Sequence, residues 1–109
     1  MFFSQVRNVD AAGLRAMQDK GALRLVDVRT DAEVAQGVIE GALHIPLHLL
    51  PLKGEELKDG VPTVFYCRSG ARSAQACAFF AAKGLSNVYN LDGGIIGWVR
   101  AGMPVASPA

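Results

Sequence analysis

The segment Pro62-Thr63-Val64-Phe65-Tyr66-Cys67 is apolar on consecutive positions, not on alternate ones. A strand of that kind has no face to give to water, so it belongs in a sheet covered on both sides, the situation of a parallel sheet. Proline is tolerated at its first position because the lost N–H costs least there. Leu23-Arg24-Leu25-Val26-Asp27-Val28 has the same aliphatic and β-branched character and ends at a polar cluster. Ala42-Leu43-His44-Ile45 and Asn87-Val88-Tyr89-Asn90-Leu91 are shorter strand candidates.

Helical segments separate these runs. Asp10 to Lys20 puts Leu14 and Met17 on one face and is stopped by Gly21. Thr30-Asp31-Ala32-Glu33 has the spacing of a capping box, with Thr30 as N-cap and Glu33 answering from the third helical position. In Ala71 to Lys83, Ala74, Cys77, Ala78 and Ala81 recur at helical spacing with Phe80 nearby, and Gly84 provides the C-cap. A last helix, Gly94 to Ala101, is expected to turn Ile95, Trp98 and Val99 inward. Strands alternating with helices predict an α/β fold around a mainly parallel sheet. Residues 1–109 read as a single domain, with 104–109 as a loose tail.

Composition narrows the function. Eleven basic against ten acidic residues give a net charge of +1, without the basic excess of a nucleic-acid binder. Aromatics make up only 7 % of the chain, too few for a base-stacking surface. No apolar run reaches the roughly 18 residues of a membrane span, and Met1-Phe2-Phe3-Ser4-Gln5 lacks secretory-signal character. The expectation is a soluble protein of the reducing cytoplasm. Cys67 and Cys77 lie ten residues apart and form no disulfide framework or Cys-x-x-Cys motif. With His44 and His48 the only histidines, no metal site and no cofactor is expected.

In parallel α/β sheets the working site lies at the carboxyl ends of the strands. Cys67 ends one strand, and Arg68-Ser69-Gly70-Ala71 leaves little chain before the next helix. The backbone must therefore curl around the sulfur, with Gly70 supplying the conformational freedom. Amides of residues 68–73 can then form an anion nest, joined by the positive end of the helix. Arg68 and Arg72 add two cations and no acidic residue interrupts the loop. Such surroundings lower a thiol's pKa below its free value of about 8.5. The alternative is a buried strand-end cysteine with two solvated arginines, but Cys, Gly and two Arg within six residues at a strand-to-helix junction favour the nest. Cys77, about 9 Å along the helix axis on its apolar face, reads as core.

Taken together, Leu25-Val26-Asp27-Val28-Arg29 with Glu33, Gly37 to Pro46, Cys67 to Arg72, and Leu91-Asp92-Gly93-Gly94 with Trp98 resemble the rhodanese family over essentially the full length. Val38 departs from the family's usual His, away from the sulfur loop. The resemblance implies a rhodanese-like fold, a central mainly parallel five-stranded sheet flanked by helices on both faces. It also implies a sulfurtransferase that moves sulfane sulfur from thiosulfate or a persulfide through a Cys67 persulfide. The acceptor it implies is cyanide, a thiol, or a protein thiol such as thioredoxin or a sulfur-relay partner. Within that scheme Cys67 is the catalytic residue, and Arg68, Ser69, Gly70, Ala71, Arg72 and Ser73 bind and stabilise the anion. Arg68 and Arg72 would hold an anionic donor, since guanidinium matches multi-oxygen anions as a fork. Ser69 and Ser73 either hydrogen-bond the sulfur or brace the loop. Asp27, Arg29 and Glu33 support it from behind, with an Arg29–Glu33 pair and Asp27 accepting from the Cys loop. His44 and His48 are structural or exposed. The rivals are an inactive rhodanese-like binding module, which would have no need of the cysteine and both arginines, and a cysteine phosphatase. The phosphatase pattern wants Arg after five intervening residues, where this chain has Ser73; Arg72 follows only four.

Overall fold

A computed structural model describes residues 6–108. Five strands alternate with helices: β1 (Arg7–Val9), α1 (Ala11–Asp19), β2 (Arg24–Asp27), α2 (Asp31–Val34), β3 (Leu43–His44), α3 (Leu50–Lys53), β4 (Thr63–Tyr66), α4 (Ala71–Ala82), β5 (Val88–Leu91) and α5 (Gly94–Arg100). The sheet order is β1-β5-β4-β2-β3 and every pairing is parallel, with Val26 opposite Phe65 and Val64 opposite Tyr89. The α/β reading holds, with a sheet that is wholly parallel.

Central strands bury both faces, which is why their sequence does not alternate. Val26, Val28, Phe65 and Cys67 enter the core shared with Cys77 and Phe80 of α4 and Leu50 of α3. Leu25, Val64, Tyr66 and Leu91 enter the opposite core with Leu14 of α1 and Trp98 of α5. Phe80 stacks on Phe65 at 5.5 Å between ring centroids, seating α4 on the strand that ends at Cys67. Among the described residues no helix is long and apolar enough to cross a membrane.

Four expectations need correction. β1 was not anticipated, because Arg7-Asn8-Val9 is a short edge segment with no apolar run. The buried face of α4 is Ser73, Ala76, Cys77 and Phe80; Ala74, Ala78 and Ala81 are only partly covered. The apolar pattern pointed one residue away because Ser73, fully buried, is polar. In α5 Trp98 is buried as expected, but Val99 is 51 % exposed. The segment read as a loose tail is tied down: Val38 and Ala106 exchange backbone hydrogen bonds of 2.9 and 2.8 Å, and the Trp98 indole donates to the Pro104 carbonyl at 2.8 Å. Truncation after Met103 should strip these partners and lower unfolding free energy by roughly 1–3 kcal/mol. An unchanged urea midpoint would show that the strap contributes nothing.

Candidate active site

Cys67 leaves β4 on the α4 side of the sheet, and Gly70, at φ 111°, turns the chain into α4. That left-handed conformation is open to glycine and strained for other residues. The loop's orientation is set from outside by α5. Ile95 N–H donates to the Cys67 carbonyl at 3.0 Å and Ile96 N–H to the Arg68 carbonyl at 3.2 Å. In a trans peptide the N–H points opposite to the carbonyl, so these two bonds turn the amides of Arg68 and Ser69 to the other side. Gly94 permits the approach: at φ 58°, a Cβ there would sit 2.6 Å from the Cys67 carbonyl oxygen and against that of Arg68. The Gly-Gly turn before α5 thus exists to bring helix and loop together.

The sulfur lies among donors. Gly70 N–H reaches Cys67 Sγ at 3.1 Å and the Ser73 hydroxyl lies 3.4 Å away. Burial pushes the thiol upward, but the Ser73 hydroxyl and the amides of Ser73, Gly70 and Ser69 outweigh it and leave the thiol below its ordinary value. Cys67 is only 1 % exposed, so the sulfur offers little surface to a reagent. Cys77, buried in the same core without such donors, is pushed up to about 12.

Ser73 carries one hydroxyl proton and three acceptors within reach: Cys67 Sγ, the Gly70 carbonyl at 3.2 Å and Asn90 Oδ1 at 2.5 Å. Asn90, buried in β5, donates in turn to Asn8 Oδ1 at 3.0 Å. The two asparagines were not singled out from sequence. An amide inside an otherwise apolar strand candidate was the available signal, since a buried amide must have partners.

The charged residues are arranged differently from the expectation. Arg72 binds Glu33 bidentately, NH1 to Oε1 at 2.7 Å and NH2 to Oε2 at 2.8 Å. The Arg72 bonds, with those from Thr30, hold the Glu33 carboxyl down at about 2. The capping box is present, with Thr30 N–H on Glu33 Oε1 at 3.1 Å and Glu33 N–H on the Thr30 hydroxyl at 3.3 Å. The expected Arg29–Glu33 pair does not form. Arg29 closes instead on buried Asp27, Nε to Oδ1 at 3.0 Å and NH2 to Oδ2 at 2.7 Å. It also holds the Gly37 carbonyl at 2.7 Å and lies over the Tyr66 ring. Asp27 is used up by Arg29 and accepts nothing from the Cys loop. Breaking such a buried pair from one side costs about 3–5 kcal/mol, so Asp27 and Arg29 brace the loop's surroundings. His44 contacts the Arg29 carbonyl through Nε2 at 2.7 Å, a structural use.

Arg68, Ser69 and Ala71 are exposed, and Arg68 makes no ion pair among the described residues. Two cavities flank the loop. One of about 400 Å³ is lined by Arg68, Glu33, Ile95, Ile96, Val99 and Val105, among others. The other, about 640 Å³, includes Arg72, Val28, Pro46 and His48. Arg29 belongs to both, and neither wall includes Cys67 itself.

Residues 10–101 match the rhodanese-like domain family. The chain belongs to that family. It is 46 % identical over 104 residues to a sulfurtransferase of Allochromatium vinosum, covering 94 % of this chain and 97 % of that one. It is 34 % identical to a thiosulfate sulfurtransferase of Pseudomonas fluorescens, over 87 % of this chain and 86 % of the relative. Among solved structures, a rhodanese-related protein of Thermoplasma volcanium superposes with a TM-score of 0.82 at 33 % identity, covering 92 % and 97 % of the two chains. The parallel sheet described above agrees with that membership.

Two outcomes follow from this geometry. Gly94→Ala should push α5 off the loop carbonyls and slow Cys67 alkylation at neutral pH at least tenfold, against the backbone strain of a residue at positive φ; an unaltered rate would contradict the bracing role. The pH midpoint of wild-type Cys67 alkylation should lie below the free-thiol value of about 8.5. Because the folded thiol is lowered, Ser73→Ala must move that midpoint upward, and a downward shift would refute the cradle.

Proposed function

We propose that this protein is a sulfurtransferase that carries one sulfane sulfur as a persulfide on Cys67. The observation that carries this reading is the ring of donors, from Ser69, Gly70 and Ser73, around a thiol lowered below its ordinary value. The Cys67 thiolate attacks the sulfane sulfur of a donor, for example thiosulfate. A new S–S bond forms at Sγ, the donor's S–S bond breaks, and sulfite departs with the electron pair. The persulfide Cys67–S–S⁻ keeps its charge within the nest. An acceptor then attacks the outer sulfur: cyanide leaves as thiocyanate, a thiol leaves as a persulfide, and the Cys67 thiolate returns. The acceptor is a small nucleophile or a protein thiol, such as thioredoxin or a sulfur-relay partner. This is covalent catalysis that divides one transfer into two exchanges at sulfur, with preorganised amides serving the anion throughout.

Arg68, exposed beside the nucleophile, is a cation available to guide an anionic donor, with Arg100 in the wall of the same cavity. The same reading has the protein working in the reducing cytoplasm, which suits two cysteines that are both free thiols. After incubation with thiosulfate, intact-protein mass spectrometry without reductant should find one added sulfur atom on the wild type and none on Cys67→Ala. Absence of the adduct from wild type with thiosulfate and persulfide donors alike would sink the reading. Phosphate release from an aryl phosphate, lost in Cys67→Ser, would replace it with a phosphatase.

A further inference from the structure

Arg72 cannot serve Glu33 and a donor oxyanion with the same fork. Both of its terminal nitrogens donate to the Glu33 carboxylate, at 2.7 and 2.8 Å. Glu33 is fixed from the other side by the Thr30 N–H and hydroxyl, each 3.1 Å from Oε1. Arg29, the third guanidinium near the loop, is closed by Asp27. Counting formal charges, Glu33 cancels Arg72 and Asp27 cancels Arg29. Arg68, with Arg100 in the wall of the same cavity, then stands against the Cys67 thiolate, and the local sum is +1. Thiosulfate would bring two further negative charges to that place.

We propose that Glu33 sets the donor class, by neutralising Arg72 and so favouring a singly charged organic sulfane-sulfur donor over the thiosulfate dianion. The inference rests on the sulfur-transfer reading and deepens it. A thiosulfonate, R–SO₂–S⁻, is the minimal example. Cys67 Sγ bonds to its sulfane sulfur, the bond from that sulfur to the sulfonyl sulfur breaks, and R–SO₂⁻ leaves with the electron pair. Two negative charges enter and two remain, whereas thiosulfate brings the total to three. A carboxylate near the approach repels the dianion more strongly than the monoanion, in proportion to charge.

The cavity beside Arg68 supports the organic half independently. Glu33 lies in its lining, and its apolar wall comprises Ile95, Ile96, Val99 and Val105. Val99 and Val105 are 51 % and 47 % exposed, apolar surface in the wall of that cavity. The strap through Ala106, with its bonds to Val38, holds Val105 in that wall. An alkyl group can cover this surface; thiosulfate has none to offer.

The test is the ratio of kcat/KM for propanethiosulfonate to that for thiosulfate, reading Cys67 persulfide formation. The two donors share a reacting sulfane sulfur and differ by one charge and the alkyl group. Glu33→Gln should lower the ratio about tenfold, because removing a unit negative charge helps the dianion more. Arg72→Gln should raise it by a similar factor, since Glu33 is then unopposed. The double variant restores the charge sum, and its ratio should return to within about threefold of wild type. If Arg72 were instead a direct thiosulfate clamp, the double variant would stay as high as Arg72→Gln, and the proposal would fail. It would fail too if Glu33→Gln left the ratio unaltered or slowed both donors equally. Should Glu33→Gln not fold, an unmoved ratio in Arg72→Gln is sufficient to reject it. If wild type takes sulfur from neither donor, the sulfur-transfer reading falls first, a result distinct from a flat ratio.

Discussion

A trans peptide sends its carbonyl and its N–H in opposite directions, so a helix that fixes two carbonyls also fixes two amides. The first turn of α5 does this for the Cys67 loop through Ile95 and Ile96. Had the carbonyls of Cys67 and Arg68 faced the sulfur, their partial negative charge would have opposed a thiolate. The grip depends in turn on packing: Trp98 anchors α5 in the core of one sheet face, and the sulfur it helps to ionise lies on the other. A contact made by a helix on one side thus orders the amides beside a thiol on the opposite side, through the strand end between them.

The two cysteines make an internal comparison. Both are buried in the same core cluster, and desolvation raises both. Cys77 has nothing to offset it and is pushed up to about 12. Cys67 meets a hydroxyl and three amides, and ends below the ordinary value. Burial alone therefore does not decide thiol chemistry; the directed donors do. The arginines are secondary to this, since Arg72 is matched by Glu33 and Arg29 by Asp27.

What was legible in the sequence was whatever depends on runs and local spacing. Consecutive apolar residues in β4 announced a strand buried on both faces, and Thr30 with Glu33 announced the start of α2. The loop from Cys67 to Ser73 was legible because a glycine, a cysteine and a short link leave the backbone few paths. Partner choice across the chain was not legible. Glu33 is four residues from Arg29 and thirty-nine from Arg72, yet it takes the distant one. Arg29 is turned inward by Asp27, whose carboxylate needs a partner once the strand end is buried. Local spacing favours the nearby pair, and burial decides otherwise. Likewise β1 and the strap to Val38 are held by pairing with distant segments, and nothing in their own residues demands it.

Pairing each flanking arginine with a carboxylate has a chemical consequence. A loop meant to grip a phosphoryl group needs a guanidinium free to meet several oxygens at once, and Arg72 has both terminal nitrogens donating to Glu33. A single sulfur atom needs no such fork. It needs short, inward N–H groups at one point, which the four residues from Cys67 to Gly70 and the first turn of α4 can supply. Committing Arg72 to Glu33 locks α2 against α4 beside the loop, while the amides carry the charge. The fold separates the two tasks, with side-chain ion pairs for rigidity and backbone dipoles for the anion.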